Sequence, residues 1–500
     1  MTDSQRIEVL MLGWEYPPHI SGGLGTACEG LTKALAPLDV RIDFVVPQLF
    51  GQESASHMRL TSPERKLAEL QLPELDFAGS ADVNSLAWPQ NYGGGQTLPT
   101  PTGVASGRLT DVAFRERLAQ DPAGDGETVR IPAFLSPYLR PEQYSLLVRA
   151  LETGDRVLIE ELLGASAALL EAGAVSEAGE ATSSTEAART PHYGDDLFGE
   201  VMRYAERVAL WSRRARPQLV HAHDWMTFPA ATRVAHLHGI PMIAHVHSLE
   251  QDRSGGGANP TIVGIEGAGL RAATRIIAVS HYTARMINQL HGIPLDRIDV
   301  VHNGTYARKT VNAYREETAD DRPMVLFLGR ITYQKGPDYF VEAAAKVLQQ
   351  APEARFVMAG NGDMLAGLKD RVQQLGMEHC FAFPGFVRGI AVEKLFSTAA
   401  AYVMPSVSEP FGISALEAMS YDTPVVLSRQ SGASEILHHA LKVDFWDVNR
   451  LAAQIVAILR YPELRNSIVE MAREEVRRVH WEAAATKVRQ AYERALGRES

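Results

Sequence analysis

The amino-acid sequence predicts an α/β protein made of two doubly wound parallel-sheet domains, with a long insertion in the first. Three observations predict it. Short continuous apolar runs recur, as in "RIEVLML", "VRIDFVV", "MVLFLG" and "ARFVMAG", and such runs suit strands buried on both faces of a parallel sheet. They alternate with stretches of helical period and glycine-bearing turns, the βαβα order of that fold class. The alternation occurs in two sets, and the first is interrupted by a long segment where it fails.

The first set begins with the strand of "RIEVLMLGWEYPP", a glycine turn opening a helix in "SGGLGTACEGLTKALAPL", and the strand of "VRIDFVVPQ". The pattern stops at about Phe50. Residues 51–195 carry "NYGGGQTLPTPTGVASG" and "EAGAVSEAGEATSSTEAART" around one or two helical stretches, and are expected to be a partly ordered, partly flexible insertion. Alternation resumes with the helix "LFGEVMRYAERVALWSRRA", the strands "LVHAHDW", "PMIAHVHS" and "RIIAVS", the helix "HYTARMINQLHG" and the strand "RIDVVHNG". A charged linker, "TYARKTVNAYREETADDRP", leads to a second set that runs from "MVLFLGR" through "PVVLS" to C-terminal helices. The expected domains are 1–310 and 320–480, followed by a last helix in 481–500. Ligands of such folds bind at the carboxyl ends of the strands, here the cleft between the two domains.

Composition narrows the class. A chain of 500 residues, 45% hydrophobic and 22% charged, is long enough for two to four globular domains. Its two cysteines, Cys28 and Cys380, exclude a disulfide framework and suit a reducing cytoplasm. The N-terminus lacks the basic and long apolar regions of a signal peptide, and no run approaches the roughly 20 apolar residues of a membrane span. A soluble, cytoplasmic protein with no transmembrane segment is expected. The net charge of -11 is uneven: residues 51–200 hold 23 acidic and 11 basic residues, a balance of -12, leaving the rest at +1. No nucleic-acid partner is expected, although the argument from acidity applies to that segment alone.

Four groups of residues are candidates for chemistry. Gly22, Gly23 and Gly25 lie between a strand and a helix, where amides of the helix start can face an anion; a tight βα turn is the plainer explanation. Arg330 ends a strand and Lys335 follows just before a helix. Cations there oppose the helix dipole unless an anion lies between them, though surface solvation suffices for any lysine. His221 and His223, and His245 and His247, form two H-x-H pairs, each on one face at a strand's end, with Asp224, Glu250 and Asp252 nearby. That spacing suits metal ligands, a cleft lining or buried core histidines. Finally, "SVSEPFGISALEAMS" places Glu409 in a loop, free amides at Gly412, Ile413 and Ser414, and Glu417 one turn into a helix. Dipole-favoured and solvated glutamates are the plain alternative.

The stretch "EPFGISALEAM" is similar to the E-x7-E signature of retaining glycosyltransferases of the GT-B fold. "WEYPPHISGGLG", "HAHDW", "HVHSLEQDRSG", "AVSHYTARMI", "VVHNG", "GRITYQKG", "AGNGDM" and "PGFV" follow in family order. The chain thus resembles family 4 (group 1) glycosyltransferases, nearest the archaeal-type glycogen synthase and sucrose synthase branch. The resemblance implies two Rossmann-like domains facing across a deep cleft, acceptor sites mainly in the first, the donor in the second, and a last helix crossing back to the first. It implies that Arg330 and Lys335 hold the donor diphosphate, with Gly22 and Gly23 approaching from the other domain. Glu417 would take the ribose hydroxyls, Val387 backbone the base, Glu409 the sugar hydroxyls and His247 the O6 side. His223, Asp224, Glu250, Asp252 and Arg253 are the acceptor-side candidates. No cofactor and no metal are implied, because fixed cations and helix amides neutralise the leaving group.

Two departures from bacterial glycogen synthases, Ile20-Ser21 where they carry a lysine before the glycines and the retained Glu417, leave the donor open between UDP- and ADP-sugars. Glucose is the expected sugar, and a glucan or other carbohydrate hydroxyl the expected acceptor. The alternatives are a metal-dependent hydrolase using the H-x-H pairs, a GT-B sugar-nucleotide epimerase, and a binding protein without catalysis.

Overall fold

The computed structural model describes residues 6–18, 23–49, 53, 55–63, 197–213, 215–255, 257–306 and 322–498. Most of the expected 51–195 insertion, most of the linker after Tyr306, and Gly22 lie outside these residues. The first sheet contains β1 (Ile7–Leu12), β2 (Val40–Val45), β3 (Arg59–Thr61), β4 (Leu219–His223), β5 (Met242–Val246), β6 (Arg275–Ala278) and β7 (Ile298–Val300). Its order is β3-β2-β1-β4-β5-β6-β7, with every pairing parallel. Strand β3 was not expected; three residues are too few to show a period, and only pairing with Asp43 to Val45 defines them.

The second sheet contains β8 (Met324–Leu328), β9 (Arg355–Ala359), β10 (Phe381–Gly385), β11 (Ala401–Met404), β12 (Val425–Ser428) and β13 (Leu441–Val443). Its order is β10-β9-β8-β11-β12-β13, also fully parallel. Both sheets reverse direction of growth at an internal strand pair, β1/β4 in one and β8/β11 in the other. Crevices open at the carboxyl ends of such pairs; most candidate residues follow these four strands, while His247, Glu250, Asp252 and Arg253 follow β5 and Val387 follows β10.

In the first domain the helices are α1 (Gly23–Leu35), α2 (Leu197–Ser212), α3 (Phe228–His238), α4 (Glu250–Ser254), α5 (Pro260–Ala272) and α6 (His281–His291). Helix α5 breaks the expectation that one strand follows another there. Gly264, Gly267 and Gly269 lower its intrinsic helicity, but a Cβ on Gly269 would sit 2.5 Å from the Phe228 side chain. Close packing on α3, not propensity, explains it. The second domain has α7 (Pro337–Leu348), α8 (Leu365–Gln374), α9 (Ile390–Thr398), α10 (Ile413–Ser420), α11 (Val448–Arg460) and α12 (Pro462–Val476).

The last helix, α13 (Trp481–Ala495), packs on the first domain. Its Trp481, Ala484, Ala485, Val488, Ala491 and Tyr492 share one core with Val9, Met11, Cys28, Leu31 and Phe44. Gly30 is the close-approach point, since a Cβ there would lie 2.2 Å from the Trp481 ring. Each large side chain so buried contributes about 1.5–3 kcal/mol, which ties the chain's end to the domain in which it began.

Candidate active site

The loops after β8 and β11 meet at one ion pair. Lys335 follows β8 in a short 3-10 turn, Tyr333–Lys335, closed by Gly336 at φ 62°. A Cβ on Gly336 would lie 2.2 Å from the Pro405 carbonyl oxygen, so glycine is required where the two loops touch. The Lys335 ammonium is in ion-pair contact with Glu409 Oε2, and Ser406 Oγ donates to the same oxygen at 3.2 Å. Glu409 is 5% exposed; its N–H donates to Gln430 O and its carbonyl accepts from Gly432 N, both at 2.9 Å. Both ends of the peptide are fixed, so the carboxylate has one place to point. Arg330 is exposed, and one guanidinium nitrogen donates to Gln334 Oε1 at 3.0 Å.

Helix α10 starts after Gly412, whose φ of 102° and ψ of 59° only glycine adopts readily. A Cβ there would meet Met404 at 2.7 Å. Glu417 lies half-buried one turn in. Val387 follows β10, half-buried between exposed Phe386 and Arg388, whose guanidinium lies 4.8 Å from the Phe386 ring centre. Across the cleft Gly23 opens α1, and a Cβ on it would meet nothing within 4 Å. One amide of that helix start is already taken: Gly25 N–H donates to Glu15 Oε1 at 3.1 Å, and Glu15 is 2% exposed.

The four histidines form a stack. His221 and His223 alternate out of one face of β4, as do His245 and His247 of β5 and its end, so the rings pile along each strand at 4.4 Å and 4.3 Å between centres. Diagonal hydrogen bonds join the piles: His221 Nε2 to His245 Nδ1 at 3.1 Å, and His223 Nδ1 to His247 Nε2 at 2.9 Å. Tyr492 of α13 closes the far end at 2.6 Å from His221 Nδ1. Burial lowers the pKa of all four, that of His221 and of His247 to about 3, so the rings are neutral.

His221, His223 and His245 each bring a nitrogen within 4.8 Å of the others, the one such group of possible metal ligands among the described residues. Their rings lie within 21–34° of parallel. Stacked imidazoles send their lone pairs side by side, whereas nitrogens sharing an ion at about 2.0–2.1 Å must converge on it. The cluster does not fit a metal without rebuilding.

The acceptor-side candidates are largely engaged within the protein. His223 is fully buried, and so cannot touch an acceptor. Asp224, at φ 61°, accepts from the N–H groups of His247 (2.7 Å) and Ser248 (3.3 Å) and so sets the His247 loop. Burial pushes its pKa up to about 6, against the field of Arg253 and those two amides. Arg253 is spent on Glu250 (3.3 Å) and Glu266 (3.2 Å), which pins α4 to α5. Asp252 caps its own helix through Leu249 N–H at 2.8 Å and accepts from Ser408 of the second domain at 2.5 Å.

That last bond belongs to an interdomain seam which sequence reasoning missed. The Ser408 proton goes to Asp252, so Tyr282 O–H donates to Ser408 Oγ, at 2.8 Å. Glu435 of the second domain accepts from the first amides of α6, His281 (2.9 Å) and Tyr282 (2.6 Å), and pairs with His302 at 3.1 Å. Burial alone would raise the Glu435 pKa, but the hydrogen bonds from His302 and the two amides outweigh it and hold it below the usual value. Single serines and glutamates scattered over 150 residues carry no local pattern, so only the fold could reveal them.

The two parallel sheets, with fixed cations and a helix start at one switch point and a histidine-lined face at the other, define a GT-B glycosyltransferase. The model for group 1 glycosyl transferases matches residues 310–475, that for glycosyltransferase family 4 residues 167–307, and that for the starch synthase catalytic domain residues 8–87. The chain is 33% identical over 296 residues to an uncharacterized glycosyltransferase of Methanocaldococcus jannaschii, covering 56% of this chain and 75% of that protein. It is 27% identical over 326 residues to the glycogen synthase of Mycobacterium tuberculosis, covering 61% and 78%. In fold it is similar to sucrose-phosphate synthase from Thermosynechococcus elongatus, with a TM-score of 0.63 at 17% identity over 99% of this chain and all of that one. It is also similar to Anabaena HepE in complex with UDP and glucose, at a TM-score of 0.51 and 18% identity over 58% and 81%. The chain belongs to the group 1, family 4 glycosyltransferases. Among the described residues no helix is long and apolar enough to cross a membrane.

Proposed function

We propose that the protein is a retaining, metal-independent, cytoplasmic hexosyltransferase that moves glucose from UDP- or ADP-glucose to a hydroxyl of a glucan or another carbohydrate. The observation that carries this is the fixed Lys335–Glu409 pair between the ends of β8 and β11, beside Arg330 and the start of α10. Arg330, Lys335 and the Gly412, Ile413 and Ser414 amides take the diphosphate, with Gly23 facing it from the other domain. Glu409 holds the sugar hydroxyls, His247 its O6 side, Glu417 the ribose and Val387 backbone the base. Residues 1–310 form the acceptor domain and 320–480 the donor domain, with 481–500 crossing back. HepE, seen with UDP and glucose, supports the class of donor.

Glu409 is bound to Lys335 and Ser406, which suits a sugar clamp better than a nucleophile in line with the anomeric carbon. We take the reaction to be the same-face displacement that the resemblance to the family implies. The anomeric C–O bond breaks, its electron pair leaves on the diphosphate, and the acceptor oxygen bonds to the anomeric carbon on the same face. The acceptor proton passes to the departing phosphate oxygen. Fixed cations aimed at that oxygen supply the charge stabilisation.

The test is incubation with labelled UDP-glucose and ADP-glucose, with and without oligosaccharides, followed by NMR of product linkage and anomer. An α-linked product that needs acceptor and survives chelator is expected. Conversion without acceptor would make it an epimerase, chelator-sensitive hydrolysis a metallohydrolase, and binding without turnover a binding protein.

A further inference from the structure

His223 is a fully buried polar side chain of the site, and one of its nitrogens has no partner. It is 0% exposed, its Nδ1 lies 2.9 Å from His247 Nε2, and its Nε2 is shielded from solvent without a hydrogen bond. His247 differs from the other three rings: it is partly exposed, and its Nδ1 makes no hydrogen bond to any described residue. A neutral imidazole carries one proton, so one nitrogen donates and the other accepts. A hydrogen bond between two neutral rings therefore couples their tautomers.

Two arrangements satisfy the 2.9 Å contact. In one, His247 donates from Nε2, His223 accepts at Nδ1, and the His223 proton on Nε2 is left as a buried orphan donor. In the other, His223 donates from Nδ1, its orphan Nε2 is a bare lone pair, and His247 carries its proton on Nδ1. Buried orphan N–H groups are rarer in proteins than under-satisfied acceptors. The second arrangement is therefore favoured. The His247 ring has little freedom to turn out of it, because His245 stacks on it at 4.3 Å and Asp224 holds its backbone N–H at 2.7 Å.

We infer that His223 is a positioning residue that holds His247 as the Nδ1–H tautomer, so that His247 offers the bound sugar a hydrogen-bond donor rather than an acceptor. The inference rests on the reading of His247 as a donor-sugar contact. It gives His223 a role other than touching acceptor, and gives its unpartnered Nε2 a cause: one nitrogen is left bare so that the other can donate.

The experiment is 15N NMR of histidine-labelled full-length protein, with resonances assigned by His223→Asn, His223→Leu and His247→Ala, alongside kinetics with a UDP- or ADP-sugar. Asparagine places an N–H2 group where His223 Nδ1 stands, and leucine fills the space without a donor. Wild type and His223→Asn should show a protonated Nδ1 on His247, whereas His223→Leu should show a mixed or Nε2-protonated ring. The leucine variant should lose about tenfold in kcat/KM for the donor, the size of one good hydrogen bond, with asparagine recovering most of it. A wild-type His247 protonated on Nε2, or a leucine variant whose His247 remains in the Nδ1–H form, would overturn the inference. The tautomer is read without substrate, so it separates the two claims: if His247→Ala turns over normally, the sugar-contact reading fails while the tautomer result stands or falls by itself.

Discussion

Replacing Lys335 with methionine removes the ammonium while nearly keeping the volume, and its cost divides into two measurable parts. In the transition state a fixed cation is lost from the departing phosphate. One preorganised charge-stabilising group is worth about 2.7–4 kcal/mol, so kcat/KM should fall by about 10²–10³. In the free enzyme Glu409, with its side chain 7% exposed against 22% for Lys335, loses its counter-charge and keeps Ser406. Breaking a fully buried pair costs about 3–5 kcal/mol, and the partial exposure and remaining hydroxyl reduce this to about 1–3 kcal/mol. The double variant Lys335→Met/Glu409→Gln removes the stranded charge, and should regain most of the stability while staying inactive. Urea unfolding and initial rates at saturating acceptor are the assays. A single variant within threefold of wild-type turnover, or a double variant that recovers activity with stability, would refute the placement of Lys335 at the leaving group.

Three further outcomes are expected. Gly336→Ala should weaken UDP or ADP binding at least tenfold by calorimetry, because φ 62° costs a β-carbon residue about 1–2 kcal/mol and its contact, 2.2 Å from Pro405 O, is backbone that cannot swing away. Glu435→Gln should lower the unfolding temperature at pH 7, and the difference should shrink as pH falls from 4.5: the native pKa is depressed, so the stabilisation is present above the unfolded value of 4.5 and is lost as pH falls through the native one. A pH-independent difference would remove Glu435 from the seam's energetics. As pH falls below 6.5 the unfolded chain protonates His221, His223, His245 and His247 while burial holds the native rings neutral, and Asp224, raised to about 6, opposes them by one proton. Stability should therefore fall with acid by up to about 4 kcal/mol per pH unit, about 1.4 for each of the net three protons, and His221→Asn should reduce that slope in urea titrations.

Periodicity and turn chemistry determined most of this protein in the sequence itself. Apolar runs of four to six residues, glycine turns and helical stretches define elements whose bonds are local, so the two sheets apart from the short edge strands β3 and β13, the Gly412 helix start and the Arg330–Lys335 turn were legible without coordinates. The resemblance to family 4 glycosyltransferases rests on the same local strings. Where bonding is non-local, tertiary structure decided. Strand β3 exists by pairing with β2, and α5 exists because its glycines let it lie against Phe228. The H-x-H pairs show only that four rings share a face; that they stack rather than converge follows from the β4/β5 register and the Tyr492 cap from another helix. The seam of Asp252, Ser408, Tyr282 and Glu435 joins residues up to 156 positions apart, and its bonds form only once the two finished domains meet. Spacing in a sequence encodes faces and turns, but a contact between distant segments is set by how sheets and helices pack, which is why the turns that carry Lys335 and Glu409 could be read from the chain and the interdomain seam could not.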